Sequence, residues 1–247
     1  MPITLAHISD LHVDGTGAAT ERVTRVMRHL GTLGGRVDAL VVTGDLADHG
    51  AEDEYELVRS LLRWDRPVVI CPGNHDDRAA LRRVLRVDAR HGGDDPINLA
   101  VDVGGLLVLA CDSSVPGQDH GYLSDGTLAW LDRTLADADR LVPAVLALHH
   151  PPEEAGIEAI SPYPQRGSSR LAALLDRHRR VVAVLAGHAH LSSVTSFAGR
   201  PLAVAPGVAS SLATPWDLTE SMHRQPPGLA LHVIEGAAVL THVLAVA

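Results

Sequence analysis

Five short polar clusters, each placed just after a hydrophobic run, carry side chains of the kinds that bind metal ions. They are Asp10-Leu11-His12, Gly44–Asp48, Gly73–Asp76, His149-His150-Pro151 and Gly187–His190. A protein holds a pair of divalent transition ions with carboxylates, imidazoles and amide oxygens that reach a common edge. Each cluster alone occurs by chance in many chains, so the signal lies in all five together. The set predicts a dinuclear metal site and therefore an enzyme.

The elements that must position these clusters are short β-branched runs bounded by turn residues, which are typical of buried strands. They are Ile3–Ile8, Ala39–Val42, Val68–Cys71, Leu106–Cys111, Ala144–Leu148 and Val181–Ala186. Helical spacing of apolar residues between several of these runs predicts amphipathic helices around Val23–Leu30, Leu128–Leu135 and Leu171–Leu175. This alternation predicts an α/β fold in which crossovers place helices outside a largely parallel sheet.

The sequence after Gly187 changes character, because strand-like segments follow one another without a convincing helix. They are Ser192–Phe197, Leu202–Ala205, Leu229–Ile234 and Val239–Val246, and they predict a second, more antiparallel sheet. Two sheets with helices on both outer sides would form a four-layer αββα sandwich with two mixed sheets and a site outside the carboxyl ends of its strands. The irregular stretches 151–167 and 210–228 are candidates for a substrate-facing lid and for a surface flap or oligomer contact.

In this order the five clusters resemble the calcineurin-like metallophosphoesterase superfamily, whose pattern runs DxH, GDxxD, GNH[DE], a lone ligand His and GHxH. The chain has every element of that pattern, and the resemblance covers about residues 3 to 206. The run Gly73–Arg78 looks like the branch of class III bacterial cyclic-nucleotide phosphodiesterases and related glycerophosphodiesterases. Gly44–Asp48 is not followed by Arg-Gly, and position 76 is Asp rather than Glu. Both features depart from the protein serine/threonine phosphatases.

The resemblance implies a ligand set for two divalent metal ions. The first ion would take Asp10, His12, Asp45 and His190, and the second would take Asp45, Asn74, His149 and His188. Asp45 would bridge the two ions, which would then lie about 3.5–4 Å apart. Mixed nitrogen and oxygen donors suit Fe, Mn, Zn or Co without choosing among them.

The same resemblance implies hydrolysis of a phosphodiester by a metal-bound hydroxide that attacks phosphorus in line with the leaving alkoxide. His75 would stabilise the transition state or protonate the leaving oxygen, and Asp76 would orient and charge His75. Asp48 is expected to support a ligand through a hydrogen bond rather than to bind metal. Arg78 is a candidate for gripping a substrate phosphate. His150 is either a substrate contact or a satisfied group behind the ligands.

Other side chains receive structural or weaker roles. Arg82, Arg83 and Arg86 are expected on a solvated helix face, and Tyr163 and Trp216 are candidates for stacking a base. Cys71 and Cys111 are expected to be buried free thiols. The remaining histidines expected to be structural or solvated are His7, His29, His91, His178, His232 and His242.

The charge of the chain restricts the substrate. The formal net charge is −9, and every basic residue is Arg. Because two divalent ions would leave the total negative, a nucleic-acid polymer is not expected as a partner, and a small phosphodiester is. The first choice is a 3′,5′-cyclic nucleotide. A glycerophosphodiester, or another substrate of a small-molecule phosphoesterase or pyrophosphatase, is the alternative. A catalytically silent binding scaffold is the alternative from another class, although such a protein would be expected to have lost ligands or His75.

Length and composition bound the organisation. A chain of 247 residues with 46% hydrophobic content suits one metallophosphoesterase domain over residues 1–247. No apolar stretch approaches the roughly 20 residues that span a bilayer, and the first residues lack the features of a signal peptide. These features predict a cytoplasmic protein with no membrane partner. A homodimer is one assembly to test, because related enzymes are often dimeric.

Overall fold

The computed structural model describes residues 1–88, 92–139, 141–153, 165–211 and 225–247. The strands in these ranges are β1 (Ile3–Ile8), β2 (Ala39–Thr43), β3 (Val68–Cys71), β4 (Leu99–Val103), β5 (Leu106–Ala110), β6 (Gly121–Tyr122), β7 (Ala144–Ala147), β8 (Gln165–Arg166), β9 (Val181–Ala186), β10 (Ser193–Phe197), β11 (Arg200–Val204), β12 (Gly228–Glu235) and β13 (Ala238–Ala245). The helices are α1 (Gly17–Leu33), α2 (Glu52–Leu61), α3 (Arg78–Leu85), α4 (Asp125–Asp137) and α5 (Ser168–Arg177), and a 3₁₀ turn (Gly34–Arg36) follows α1. His91, Tyr163, Trp216 and most of the stretches 151–167 and 210–228 lie outside the described residues.

Two large sheets carry most of the strands, and both are mixed, as predicted. The first has the order β13-β12-β1-β2-β3. β1, β2 and β3 are parallel to one another, and β12 is antiparallel to both of its neighbours, β1 and β13. The second has the order β10-β11-β9-β7-β5-β4, in which β11, β9, β7 and β5 are parallel and the two edge strands are antiparallel. A small third sheet pairs β6 with β8.

The late strands do not form a sheet of their own, so that expectation is wrong. β11 pairs with β9 and brings β10 into the second sheet, whereas β12 pairs with β1 and brings β13 into the first. Each pair of late strands therefore extends a sheet built by the earlier part of the chain. The local pattern of a strand shows that it is extended, but its partner depends on which sheet edge offers unpaired backbone groups in the folded chain.

Three apolar clusters hold the four layers together. One lies between the first sheet and the helices α1, α2 and α3, where Val23, Val26 and Leu30 of α1 are fully buried. Another joins α4 and α5 to the second sheet through residues such as Leu131 and Leu174. The third lies between the two sheets. Each fully buried aliphatic side chain contributes about 1.5–3 kcal/mol, so the αββα sandwich is stabilised through both faces of each sheet.

Helix α3 starts at a side-chain cap, because the Asp77 carboxylate accepts a hydrogen bond from Ala80 N at 2.7 Å. The prediction of a solvated arginine face is wrong for Arg82, which is buried. Its guanidinium donates to the carbonyl oxygens of Gly93 and Asp95 and pairs with Asp88. Arg82 thereby ties α3 to the loop that precedes β4.

Cys71 and Cys111 are buried free thiols, as predicted. Burial raises the pKa of both thiols, so they remain protonated. Among the described residues, no helix combines the length and apolar character needed to cross a bilayer.

Candidate metal centre

The loops that follow β1, β2, β3, β7 and β9 meet at one edge of the sandwich, because the carboxyl ends of parallel strands lie together. Backbone hydrogen bonds join these loops. Asp10 N donates to the Gly44 carbonyl at 3.1 Å, His12 N donates to the Asp45 carbonyl at 2.9 Å, and Gly187 N donates to the His149 carbonyl at 2.9 Å. The seven predicted ligand side chains therefore come together from positions up to 180 residues apart. They are Asp10, His12, Asp45, Asn74, His149, His188 and His190.

The donor atoms of the first predicted group converge. His12 Nε2 lies 3.2 Å from His190 Nε2 and 3.5 Å from Asp45 Oδ2. His190 Nε2 lies 3.7 Å from Asp10 Oδ1. Four side chains from three loops thus present two nitrogens and two carboxylates to one point.

The second predicted group uses the other side of the same aspartate. His149 Nε2 lies 3.3 Å from Asp45 Oδ2, 3.1 Å from Asn74 Oδ1 and 3.2 Å from His188 Nδ1. Asp45 Oδ2 is therefore near a nitrogen of each group. That is the placement required of a bridging carboxylate.

These distances fit metal ligands. Nitrogen and oxygen donors that share one ion at about 2.0–2.1 Å lie about 3.0–3.4 Å from one another. His12 and His149 place Nδ1–H against the Asp48 carboxylate and the Thr43 carbonyl, so in the neutral rings the Nε2 lone pairs point into the centre. In addition, Asp10 Oδ2 is buried without a hydrogen-bond partner. The donor set therefore suits two divalent ions of the Fe, Mn, Zn or Co type.

The outward nitrogens of three histidines are held by hydrogen bonds. His12 Nδ1 contacts Asp48 Oδ1 at 2.8 Å, as predicted for Asp48. His149 Nδ1 donates to the Thr43 carbonyl at 2.7 Å, and His190 Nδ1 contacts Ser210 Oγ at 2.6 Å. Each contact turns Nε2 towards the centre and fixes the ring orientation. The sequence does not predict Thr43 or Ser210, because a backbone carbonyl and a serine twenty residues after its partner carry no motif.

The electrostatic field of the centre favours a positive charge. Burial opposes a charge on His149, but the Asp45 carboxylate outweighs it and raises the pKa of His149 to about 9. Burial also opposes the charged form of Asp45, yet His149 and His12 hold the pKa of Asp45 well below its ordinary value. Burial lowers the pKa of His188 to about 4 and lowers the pKa of His190. His188 and His190 are thus held neutral beside an ionised Asp45, as metal binding requires, whereas His149 would release a proton when an ion binds.

The backbone at the centre is unusual. Asp10, His12, Asp45, His188 and His190 all have φ between 39° and 67°, in the left-handed region that non-glycine residues rarely adopt. Such conformations cost on the order of 1–3 kcal/mol each and persist where the surrounding structure enforces them, often at functional sites. The strain is concentrated in predicted ligands.

Close approach of the loops requires two of the motif glycines. A Cβ at Gly44, where φ is 84°, would lie 2.5 Å from His149 Nδ1 and 2.7 Å from Gly73 N. A Cβ at Gly73 would collide with Asp45 Oδ1. These glycines let the second and third clusters pack against each other and against His149.

His75 lies at the rim of the centre and is not among the seven. Its ring packs edge-on against His12, with ring centroids 4.7 Å apart, and its Nδ1 donates to the Asp48 carbonyl at 2.8 Å. Partial burial lowers the pKa of His75, but the Asp45 carboxylate and the Asp48 carbonyl outweigh that effect, so the net pKa is raised. An imidazole in this position can hold a proton close to the metal ligands.

Asp76 does not contact His75, so the expectation that it orients that ring is corrected. Its carboxylate accepts hydrogen bonds from the amides of Leu46, Ala47 and Gly73 and from the Tyr55 hydroxyl. Burial and the charge on Asp45 raise the pKa of Asp76 to about 6. Asp76 faces away from His75 because these donors lie on the loops behind the centre. Asp76 therefore braces the second and third clusters, and the Asp48 carbonyl orients His75.

The two candidates for substrate contact are held largely by the protein. Arg78 donates through Nε to Asp112 at 2.7 Å and through its terminal nitrogens to the carbonyls of Asp94 and Ser114. His150 is fully buried, with Nδ1 at 2.9 Å from Ser113 Oγ and Nε2 at 3.2 Å from the Asp119 carbonyl. This geometry favours the satisfied alternative for His150, and a substrate role for Arg78 stays a prediction.

Fold and donor set together define a metallophosphoesterase of the four-layer sandwich type. Residues 3–192 match the family model described as calcineurin-like phosphoesterase. The chain belongs to this family.

Named relatives and a solved structure agree with that assignment. A probable cyclic nucleotide phosphodiesterase of Rhodococcus erythropolis is 38% identical over 81% of this chain and 69% of its own length. The glycerophosphodiester phosphodiesterase GpdQ of Enterobacter lignolyticus is 33% identical over 92% of this chain and 86% of its own. A dimetal phosphatase from Danio rerio shares the fold, with a TM-score of 0.71 over 99% of both chains at 15% identity. These matches confirm the predicted family and the prediction of a metal-dependent phosphoric diester hydrolase.

Proposed function

We propose that this chain hydrolyses a small phosphodiester at a dinuclear metal centre, with a 3′,5′-cyclic nucleotide as the first candidate substrate. Asp10, His12, Asp45 and His190 would hold one ion, and the donors that share Asp45 on its other side, Asn74, His149 and His188, would hold the second. The observation that carries the proposal is the position of Asp45 Oδ2, which lies 3.5 Å from His12 Nε2 and 3.3 Å from His149 Nε2.

Two bound divalent ions supply a nucleophile from water near neutral pH and neutralise charge on the phosphoryl oxygens. The protein must then deliver a proton to the leaving alkoxide oxygen. His75 suits this role, because its Nδ1–H donates to the Asp48 carbonyl, which leaves Nε2 for the substrate, and the Asp45 carboxylate raises the pKa of His75 in favour of the protonated form. His75 also lines a cavity of about 250 Å³ that can receive the leaving alcohol.

The surroundings of the metal centre restrict the size and the charge of the substrate. The cavity beside His75 also includes the acidic side chains Asp77 and Asp94, and the whole chain carries a net charge of −9. Both features disfavour a polyanion and favour a compact diester. Similarity to the probable cyclic nucleotide phosphodiesterase of Rhodococcus supports a cyclic nucleotide. The name of the Enterobacter relative supports a glycerophosphodiester as the second candidate.

A binding scaffold without turnover is the rival from another class. Loss of turnover would be expected to accompany loss of a ligand or of His75. All seven proposed ligands are present and converge, and His75 lies at the rim of the centre. The arrangement therefore favours the enzyme.

The proposal is tested with bis(p-nitrophenyl) phosphate and protein loaded with Mn or Fe. We expect turnover by the parent protein and strongly reduced turnover by Asn74→Ala. Absence of turnover in the parent, or full turnover in the variant, would overturn the proposal. A panel of cyclic AMP, cyclic GMP, glycerophosphodiesters and nucleotide monoesters then ranks the substrates, and the cyclic-nucleotide assignment fails if these are hydrolysed far more slowly than the others.

The proposal also covers the domain organisation, the cellular location and the assembly of the chain. The assignment of residues 1–247 to one domain is supported by β12 and β13, which complete a sheet begun by β1. A cytoplasmic location is supported by two free thiols where an oxidising compartment favours disulfides. A homodimer is tested by sedimentation of the metal-loaded chain.

A further inference from the structure

In the part of the chain that the structure describes, two cavities border the metal centre, and they have no lining residue in common. The first, of about 250 Å³, is bounded at the centre by Asn74 and His75. The second, of about 330 Å³, is bounded at the centre by His12 and His190. The proposed reaction needs the first cavity for the leaving alcohol, so the second has no assigned role.

A wall of three side chains separates the cavities. The His12 ring lies between His75 and His190, with centroid distances of 4.7 Å and 5.1 Å. Asp48 holds two of these rings in place, because its carboxylate contacts His12 Nδ1 and its carbonyl accepts a hydrogen bond from His75 Nδ1. Asn74 and His75 border one cavity and His12 and His190 border the other, so both cavities open beside the proposed ligands of the centre.

We propose that the cavity beside His12 and His190 binds the alcohol group that stays on phosphorus. This inference rests on the proposed function. Hydrolysis adds one water, breaks the P–O bond to the leaving alcohol and keeps the other P–O ester bond in the phosphomonoester product. The leaving oxygen takes its proton from His75, so the leaving alcohol occupies the cavity on that side. The retained alcohol then extends past His12 into the second cavity.

The lining of the second cavity indicates which alcohol fits. Methyl groups of Ala18, Ala19 and Ala209 form apolar walls. At one end, the Asp14 carboxylate accepts hydrogen bonds from the amide and hydroxyl of Thr16. A compact neutral alcohol suits these walls, and a second phosphate would meet the carboxylates of Asp14 and Asp48. In a linear diester the two alcohol groups would then lie in separate cavities, one on each side of the centre.

The test uses two diesters that share a leaving group and differ in the retained group. Bis(p-nitrophenyl) phosphate retains an aryl group, and methyl p-nitrophenyl phosphate retains a methyl group. Ala18→Phe and Ala209→Leu add bulk at two positions of the cavity lining, and Ala136→Phe, at an exposed alanine on α4, is the matched control. Thermal unfolding of the metal-loaded variants establishes that each is folded.

We expect both filling variants to lower kcat/KM for the bis-aryl substrate about tenfold or more relative to the methyl substrate. Ala136→Phe should leave the ratio unchanged. Calorimetry provides a readout without turnover, because dibenzyl phosphate should bind the filling variants more weakly while dimethyl phosphate binds them as it binds the parent. An unchanged ratio in both folded variants would overturn the inference. Failure of the parent to hydrolyse either diester would instead overturn the proposed function.

Discussion

Two groups of buried histidines in this chain differ in what their nitrogens face. In the first sheet, His7 Nδ1 lies 3.1 Å from His232 Nε2, and the outer nitrogens of the pair contact the hydroxyls of Thr43 at 2.8 Å and Thr241 at 2.9 Å. Every ring nitrogen of this pair has a partner that can share a hydrogen. At the metal centre, imidazole nitrogens face one another and the carboxylates of Asp10 and Asp45.

The difference shows that buried histidines alone do not make a metal site. The His7–His232 pair lies on regular strands, whereas five predicted ligands have left-handed backbone. In the part of the chain that the structure describes, every group of three His, Cys, Asp or Glu side chains with the geometry to hold an ion belongs to the centre. Carboxylates, converging lone pairs and strained loops are therefore the features that separate a catalytic cluster from a structural one.

The largest expected effect comes from removing the shared carboxylate. Asp45→Asn should reduce phosphodiesterase activity by more than the about 10²–10⁴-fold attributed to a single general acid, because both ions lose a ligand. Metal content measured by plasma mass spectrometry should fall at the same time. Asp53→Asn, at an exposed carboxylate on α2, serves as the control and should retain metal and activity. An Asp45→Asn protein that keeps two ions would show that neither ion depends on the Asp45 carboxylate.

His75 should affect the reaction without affecting the metals. His75→Asn is expected to lower kcat about 10²–10⁴-fold, since it removes a general acid, while metal content stays at the parent level. Steady-state kinetics and metal analysis on the same sample check both statements. Loss of metal would show that His75 belongs to the ligand set, and full kcat would remove it from the mechanism.

Asp48 should have a smaller effect through His12. Asp48→Asn weakens the hydrogen bond to His12 Nδ1, and losing such a partner costs about 10–100-fold in metal affinity or activity. Competition with a chelator of known affinity measures the change. Equal affinities of variant and parent would mean that Asp48 does not orient His12.

The smallest expected effect comes from the His7–His232 pair, and it concerns the stability of the fold rather than catalysis. Burial lowers the pKa of His232 to about 4, and burial together with His232 lowers the pKa of His7 well below its ordinary value. Between pH 6.5 and 4 the unfolded chain therefore binds protons that the folded chain does not, so the free energy of unfolding decreases as the pH falls. The contribution of His232 is fully present above pH 6.5, and its loss near pH 4 is about 3 kcal/mol.

Denaturant unfolding at a series of pH values measures this slope. His232→Phe should flatten the slope between pH 6.5 and 4, because the unfolded chain then binds one proton fewer. His242→Phe, at an exposed histidine on β13, should leave the slope unchanged. Identical slopes in all three proteins would show that the pair is not held neutral by burial.

Local patterns in the sequence predict several elements closely. β1, β3 and β9 have the predicted bounds, since buried β-branched runs end sharply at turn residues. α2 and β4 are not predicted. α2 buries little beyond Tyr55 and Val58 of its apolar residues, and β4 is half-buried or exposed except at Val103 and lies beside a chain reversal. β10 and β11 join the second sheet, and β12 and β13 join the first. This choice depends on long-range pairing that no local pattern encodes.

The candidate site also has features that the sequence predicts and features that it does not. The seven ligand types and their convergence follow from motifs at strand ends, and the role of Asp48 follows from its place in the second motif. The partners of Asp76 do not follow, because adjacency to His75 in the sequence does not determine which way a loop carboxylate turns. Thr43 supports His149 through its backbone carbonyl, which has no signature in the sequence.

Anomalous diffraction from crystals grown with Mn²⁺ can show whether Asp45 joins two metal sites. We expect two peaks about 3.5–4 Å apart with the Asp45 carboxylate between them. A single peak at the centre, or manganese bound instead beside His7 and His232, would show that Asp45 does not join two ions.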